Sequence, residues 1–489
     1  MSKIRSPKSH APIISVSVYF LASSERSAIN SEQMTTLPLI TRMPLVLALV
    51  AFACANAGDS LEPIEVNIHQ PDRVDPGFLF WHQSDELQQD VENISVLVDS
   101  TGKLVHTWPT NLTGGGTPAY LLDGGRVLRT GILDRRNVAG GPIASTDAIQ
   151  VVDAHGNVIW QFLATQLENT LFHHDMEPMR NGHFLVTTYK RLSAGEARAL
   201  GWDADGRDEV WADGVMELAP NFETGGGEIV WEWSFADHLI QDRFPDAPNY
   251  GVIAEHPERI DPHFPESYAP LDTVRQHINS VDYNADLDQV LLSSFIYDEI
   301  WIVGRSGEIL FRYGNPAAYD MGIANDRVFL KQHDANWIDE GLPGAGNILV
   351  HNNNTIIRPR RPAQPSAENM RDIGEIEVEE TRSNVYELTL PSLDGGTYRR
   401  RENSAYEAET AWYWEHPDYF ADFQGGARRL PNGNTLISDT TDYHVVEVAS
   451  DGEIVAEYKG TTPVFKAYKY PAAHISALTD VTDQGLLTP

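Results

Sequence analysis

A repeated unit constrains this chain more than any other feature. Five times the sequence runs through a short strand, a turn of the Asn-Gly type, an apolar strand, a third strand, a glycine turn and a strand carrying an aromatic residue. AYLLDGGRVLRT with IQVVDAHGNVIWQF is the first copy, residues 117–164. HHDMEPMRNGHFLVTTYK with VMELAPNFETGGGEIVWEW is the second, 173–235. HINSVDYNADLDQVLLSS with EIWIVGRSGEILFRYG is the third, 277–314; residues 333–416 and 425–458 hold the fourth and fifth. ISVLVDSTGKLVHTW, 93–109, matches only the second half of a unit. Alternating apolar and polar residues between NG, DG and GG turns signal antiparallel hairpins, so each copy predicts a four-stranded meander. One such sheet cannot bury both faces. Stacked radially, the copies cover one another, which predicts an all-β, six-bladed β-propeller. The half copy would supply outer strands of the sixth blade, and PVFKAYKYP (463–471) its inner strand. Trp160, Trp231, Trp233 and Trp414 would pack between blades.

The remaining segments suggest boundaries. MPLVLALVAFACANAGDS follows Arg42: a basic start, an apolar run too short to span a bilayer, and an Ala-Asn-Ala site. Residues 1–57 therefore read as a signal peptide behind a misassigned upstream start, with Met34 or Met43 the better first residue and cleavage near Ala57. Export to the periplasm or beyond follows as an expectation. Cleavage would also remove Cys54, the only cysteine, leaving stability in an oxidising compartment to packing. Residues 58–92 read as an N-terminal extension, 93–471 as the propeller and 472–489 as a tail. Two insertions, 236–275 and the Pro-rich then acidic 357–382, read as lid-like or solvated loops. A formal charge of −34 argues against nucleic-acid partners. No stretch after the leader is long and apolar enough for a membrane helix. Oligomeric state is not legible.

In a propeller, the first strand of each blade lines the central channel. His174, His277 and His333 stand at matching blade starts and should converge at one end of it. The matching positions of the first and fifth copies lie near Gly116 and Gly425, which leaves room for a ligand. Imidazoles in a channel serve metal ligation, acid–base work or nucleophilic catalysis. Asp175, Asn279 and Asp334 follow these histidines by one or two residues. They could orient the rings, or serve as oxygen ligands to a hard cation. Neither HExxH nor a CxxC pair is present, so a structural zinc site has no support, and no metal or cofactor is expected. Asp203-Ala-Asp205-Gly206 resembles the start of a calcium loop but lacks its glutamate, and reads as a turn.

HHDMEPMRNGHFLV, QHINSVDYN with LLSS and EIWIV, QHDANWI with GNILV, and GARRLPNGNTLIS resemble the bacterial aryl-sulfate sulfotransferase family across nearly the whole chain after the leader. The resemblance implies an exported six-bladed propeller that moves a sulfuryl group from an aryl sulfate to a phenol without adenosine phosphosulfate. It implies that His333, in QHD, is the nucleophile. It assigns sulfate binding to His277 and, within HHD, to His174 rather than His173. The reaction it implies is ping-pong, through a sulfohistidine. The residues agree: there is no P-loop for a nucleotide sulfate and no sulfatase cysteine motif. Sulfuryl transfer should resemble phosphoryl transfer in needing positioned donors more than covalent chemistry. One of the other histidines could then deprotonate the acceptor.

Two departures stand out. Described members carry an arginine after LxxSS, where this chain has Phe295; Lys331 or Arg429 would have to replace its charge. They also carry an extra N-terminal β-domain, for which about 35 residues between Ala57 and the first strand leave no room. Two other readings stay open: a secreted binding propeller without turnover, and a metal-dependent propeller hydrolase such as a lactonase.

Overall fold

The computed structural model describes residues 64–83, 92–264, 276–359, 376–379, 382–394, 397–460, 463–475 and 478. The expected leader, its cleavage site, Cys54 and most of the C-terminal tail lie outside them. Six antiparallel sheets of four or five strands form a ring, the predicted six-bladed propeller, with little helix.

Blade 1 is Ala119–Leu122, Arg126–Gly131, Ala148–Val152 and Val158–Leu163. Blade 2 is Thr170–Pro178, Phe184–Ser193, Glu209–Pro220 and Gly227–Ser234, with Ser145–Thr146 added beside its first strand. Blade 3 is Ile278–Asn284, Gln289–Ser294, Glu299–Gly304 and Ile309–Tyr313. Blade 4 is His333–Trp337, Ile348–Asn352, Asn384–Thr389 and Glu409–Glu415. Blade 5 is Gly426–Arg429, Thr435–Asp439, His444–Val448 and Ile454–Lys459, with Glu65–His69 as a fifth outer strand.

Blade 6 closes the ring. Val464–Tyr470 from the C-terminal end pairs with Phe78–Gln83, which pairs with Glu92–Val98 and then Leu104–Thr113. The C-terminal segment thus gives the inner strand, as the half copy required. Two strands also fall within 58–92, the segment read as an extension. FLFWHQ was hidden there because it lacks the alternation and the glycine turn of the other copies.

Blades are stapled by indole groups. Trp108 Nε1 donates to Gly125 O, Trp160 to Gly226 O, Trp233 to Gly307 O and Trp414 to Gly452 O, each in the next blade. Each staple satisfies a largely buried donor while its ring fills the wedge between sheets, worth about 1.5–3 kcal/mol per fully buried large apolar side chain. Trp231 makes the same kind of bond, Nε1 to Arg305 O at 2.8 Å, but its ring is half-buried, under the Arg305 guanidinium at 4.4 Å. The described part of 236–275 is partly anchored: Ile240, Ile253 and Ile260 are buried against blades 2 and 3, and Tyr297 Oη donates to Asp261 O at 2.6 Å, while Tyr250 and Val252 are exposed. Of 357–382, Ile356–Pro359 and Ile376–Glu379 pair as a hairpin. Asp203–Gly206 forms a turn in which Asp205 N–H donates to Asp203 Oδ1 at 2.9 Å.

Candidate active site

Each of the three histidines sits at a break in strand pairing. The ladder slips between Phe172 and Met176 in blade 2, between Ile278 and Ser280 in blade 3, and between His333 and Asn336 in blade 4. His174 and His277 adopt φ values of 38° and 49°, and Asp334, after His333, adopts 50°. A bulge re-aims a side chain that a regular strand would send elsewhere. Left-handed backbone at a non-glycine residue costs on the order of 1–3 kcal/mol, so the surrounding fold stabilises these conformations.

The rings converge. His174 and His277 have centroids 4.4 Å apart. Phe295 lies 4.9 Å from His277 and 5.4 Å from His333, and Phe465 of the closing strand meets His333 at 6.0 Å. His174, His277 and His333 are 2%, 6% and 2% exposed. Burial pushes His277 down to about 3 and His333 to about 4, and His174 well below the usual imidazole range, with neighbouring imidazoles adding to the fall for His174 and His277. The resting site is therefore a cluster of neutral rings.

His333 is held in one tautomer. Its Nδ1 faces Asn353 Oδ1 at 2.7 Å and Lys331 O at 3.2 Å, both acceptors. The Asn353 amide cannot turn over, because its Nδ2 donates to the carbonyls of Ala421 and Gln424 at 2.8 Å each. Nδ1 therefore carries the proton and Nε2 the lone pair, which accepts a long 3.3 Å contact from Gln424 N–H.

The aspartates do not touch the imidazoles through hydrogen bonds. Asp175 accepts from Lys466 Nζ at 2.6 Å, Tyr120 Oη at 2.9 Å and Val281 N–H at 2.9 Å. Asp334 accepts from Lys466 at 2.8 Å, Arg428 at 2.8 Å and Ala427 N–H at 3.1 Å. One buried lysine from the closing strand thus ties together the residues that follow two of the site histidines. Burial would push the Lys466 ammonium down, but Asp175 and Asp334 outweigh it and hold it above its usual value. Burial likewise opposes the Asp334 carboxylate, and Arg428 and Lys466 outweigh it to keep it ionised. Such a network is costly to break from one side.

The other expected site residues serve the frame. Asn279 Nδ2 donates to Gln332 O at 2.7 Å, which links blade 3 to the residue before His333. Lys331 Nζ bonds Asp298 at 3.0 Å and Phe295 O at 3.2 Å, so its charge is already paired. Arg429 points away from the channel, to Glu387 at 2.5 Å and Pro343 O at 3.2 Å. Neither cation takes the place that Phe295 leaves. Among the described residues no group of three or more His, Cys, Asp or Glu is arranged to hold a metal ion, and no helix is long and apolar enough to cross a membrane.

Sequence reasoning missed Asn353, Gln424, Phe465 and Lys466. Asn353 has a visible signal, since HNNN runs out of the end of Ile348–Asn352, the next strand after QHD. Lys466 has none, because only ring closure brings residue 466 beside residue 175.

The family model described as arylsulfotransferase (ASST) matches residues 146–461. No curated protein matches the sequence. Similar solved structures include a Bacteroides caccae protein of unknown function, 11% identical over 81% of this chain and 99% of that one, TM-score 0.41. A periplasmic gluconolactonase from Pseudomonas aeruginosa is 10% identical over 81% and 99%, TM-score 0.38. Virginiamycin B lyase from Staphylococcus aureus is 9% identical over 81% and 88%, TM-score 0.35. Likeness at this level carries no argument about the chemistry of this chain.

Proposed function

The chain belongs to the arylsulfotransferase family, and on that premise we propose that it transfers a sulfuryl group from an aryl sulfate to a phenol in two steps through His333. In the first step the Nε2 lone pair attacks sulfur, the N–S bond forms, the S–O bond to the aryl group breaks, and the phenolate leaves. In the second, the acceptor oxygen attacks the same sulfur, its proton passes to a base, and the N–S bond breaks. The neutral N–H group of His277 donates to an equatorial oxygen, and the Gln424 N–H released from Nε2 is a further donor. Nδ1 of His277, which is buried and has no hydrogen-bond partner among the described residues, supports this.

One observation carries the reading: the Asn353 amide, locked by two carbonyls, leaves His333 with its lone pair on Nε2. A histidine kept neutral by burial remains nucleophilic at neutral pH. Export after cleavage near Ala57 is part of the same proposal, supported by the leader-like composition.

The test is a rapid-mixing experiment with p-nitrophenyl sulfate and no acceptor. A burst of one p-nitrophenol per protein, followed by phenyl sulfate formation once phenol is added, supports the reading. A linear release without a burst at any donor concentration overturns the covalent step. One feature favours a second reading, binding without turnover: Phe295 occupies the gap between His277 and His333, with an apolar ring where the resemblance expects a guanidinium. Saturable binding of the aryl sulfate with no p-nitrophenol released would support that reading instead.

A further inference from the structure

Behind His174 lies a second buried group that the transfer through His333 does not use. His173 and His174 are adjacent in sequence, yet the break in the strand turns their rings toward each other, with Nδ1 to Nδ1 at 2.8 Å. The rings cross at 86°, and His173 is stacked on Tyr189 at 3.6 Å. At that separation one Nδ1 must donate and the other accept. The far nitrogen of His173, Nε2, lies 3.6 Å from Asp213 Oδ1, with the Thr188 carbonyl also beside the ring. His173, Asp175 and Asp213 are all wholly buried.

A carbonyl and an ionised carboxylate can only accept, so above about pH 8, where Asp213 is ionised, they favour the proton of His173 on Nε2. Its Nδ1 then accepts from His174 Nδ1–H, and the lone pair of His174 is left on Nε2. Among the described residues no protein group hydrogen-bonds that nitrogen, and its ring is the one 4.4 Å from His277. We propose that Asp213 and His173 form a proton relay behind His174, which makes His174 Nε2 the general base toward the phenolic acceptor. This rests on the sulfotransfer reading for its substrate.

The step balances. The phenol O–H bond breaks and a proton joins His174 Nε2. The Nδ1 proton of His174 passes to His173 Nδ1, and the Nε2 proton of His173 passes to Asp213. The phenolate electron pair forms the new O–S bond as the His333 N–S bond breaks. No imidazolium is left in the apolar cluster, where burial disfavours the charged ring. Burial pushes Asp213 up to about 8, although Ile278 N–H at 2.7 Å and His277 N–H at 3.2 Å on its oxygens oppose the rise, so the relay has an ionised end to receive the proton only above about pH 8. The Asp213 to His173 contact must shorten by about 0.5 Å to become a hydrogen bond, a change usual between an unliganded site and a reacting one.

His173→Phe is the informative variant, because phenylalanine keeps the stack on Tyr189 and has no ring nitrogen. Two acceptors are compared just above pH 8, where Asp213 is ionised, with p-nitrophenyl sulfate as donor: phenol, still protonated there, and a nitrated phenol that is already ionised. The relay predicts that H173F slows transfer to phenol by about 10²–10⁴-fold, the usual contribution of a general base. Transfer to the ionised acceptor falls far less, under about tenfold, and the phenol deficit shrinks as pH rises. Equal losses with both acceptors would assign His173 a packing role only and overturn the proposal. If wild-type protein shows neither burst nor transfer, the sulfotransfer reading has failed, and ¹⁵N spectra of histidine-labelled protein still decide the relay. Above about pH 8, His174 should carry its proton on Nδ1 in wild type and lose that preference in H173F. An unchanged His174 tautomer refutes it.

Discussion

His333 and His174 lie in one cluster but are backed by opposite chemistry. Behind His333 is a neutral amide, Asn353, whose orientation two backbone carbonyls dictate. It can fix a tautomer but cannot accept a proton. Behind His174 are a second imidazole and a carboxylate, His173 and Asp213, which can. A nucleophile needs a lone pair at a fixed place, whereas a base needs somewhere to send a proton. With His333 as the proposed nucleophile and His174 as the proposed base, the difference would let one buried cluster of similar side chains divide the two tasks by environment alone.

The largest way to break the comparison is at His333. His333→Asn should lower transfer by at least about 10⁴-fold and abolish the burst, with the melting temperature close to wild type, since a nucleophile has no substitute. A surviving burst would show that another ring is attacked. Lys466→Met should act on both sides at once. It strands Asp175 and Asp334 in the channel, and removing one partner of a buried network costs about 3–5 kcal/mol. Chemical denaturation measures it, and a loss under about 1 kcal/mol would mean the network is hydrated rather than dry.

Asn353→Ala sharpens the contrast further. With the acceptor gone, His333 can place its proton on either nitrogen, and the burst rate should fall about 10–100-fold while donor affinity changes little, as for other groups that orient a metal-binding or catalytic histidine. Asn353→Asp, in contrast, would make the two sides alike and should raise the His333 pKa. For wild type, the burst rate constant divided by donor affinity should stay level from neutral pH downward and fall only near pH 4, where His333 takes up a proton and loses its lone pair. A fall centred near 6.5 would place an ordinary, solvated histidine there. The smallest effect belongs to Arg429→Ala, whose side chain pairs with Glu387 outside the channel; turnover should stay within about threefold of wild type.

The repeats made most of the fold legible. NG and DG turns with period-two alternation located five blades, because hairpin signals are local. The sixth blade was harder: its inner strand is 464–470 and its next is 78–83, and no local pattern joins residues almost four hundred positions apart. The same limit applied at the site. His174, His277 and His333 were legible as a set, since register-matched blade starts must face one axis. The partners of the neighbouring residues were not. Asp175 and Asp334 seemed placed to orient rings, but the bulges that turn the histidines inward also turn the aspartates toward Lys466. Lys331 and Arg429 were chosen for charge, and charge in a sequence carries no record of the carboxylate that already neutralises it.

The claim that the sulfuryl group rests on His333 can be examined directly. Protein mixed with p-nitrophenyl sulfate in the absence of acceptor, quenched at alkaline pH and digested, is mapped by mass spectrometry. The account predicts the added mass of one SO₃ group on the peptide containing His333, lost when phenol is supplied before quenching. The same group found on the His174 or His277 peptide, or p-nitrophenol released in a burst with no modified histidine, would contradict it.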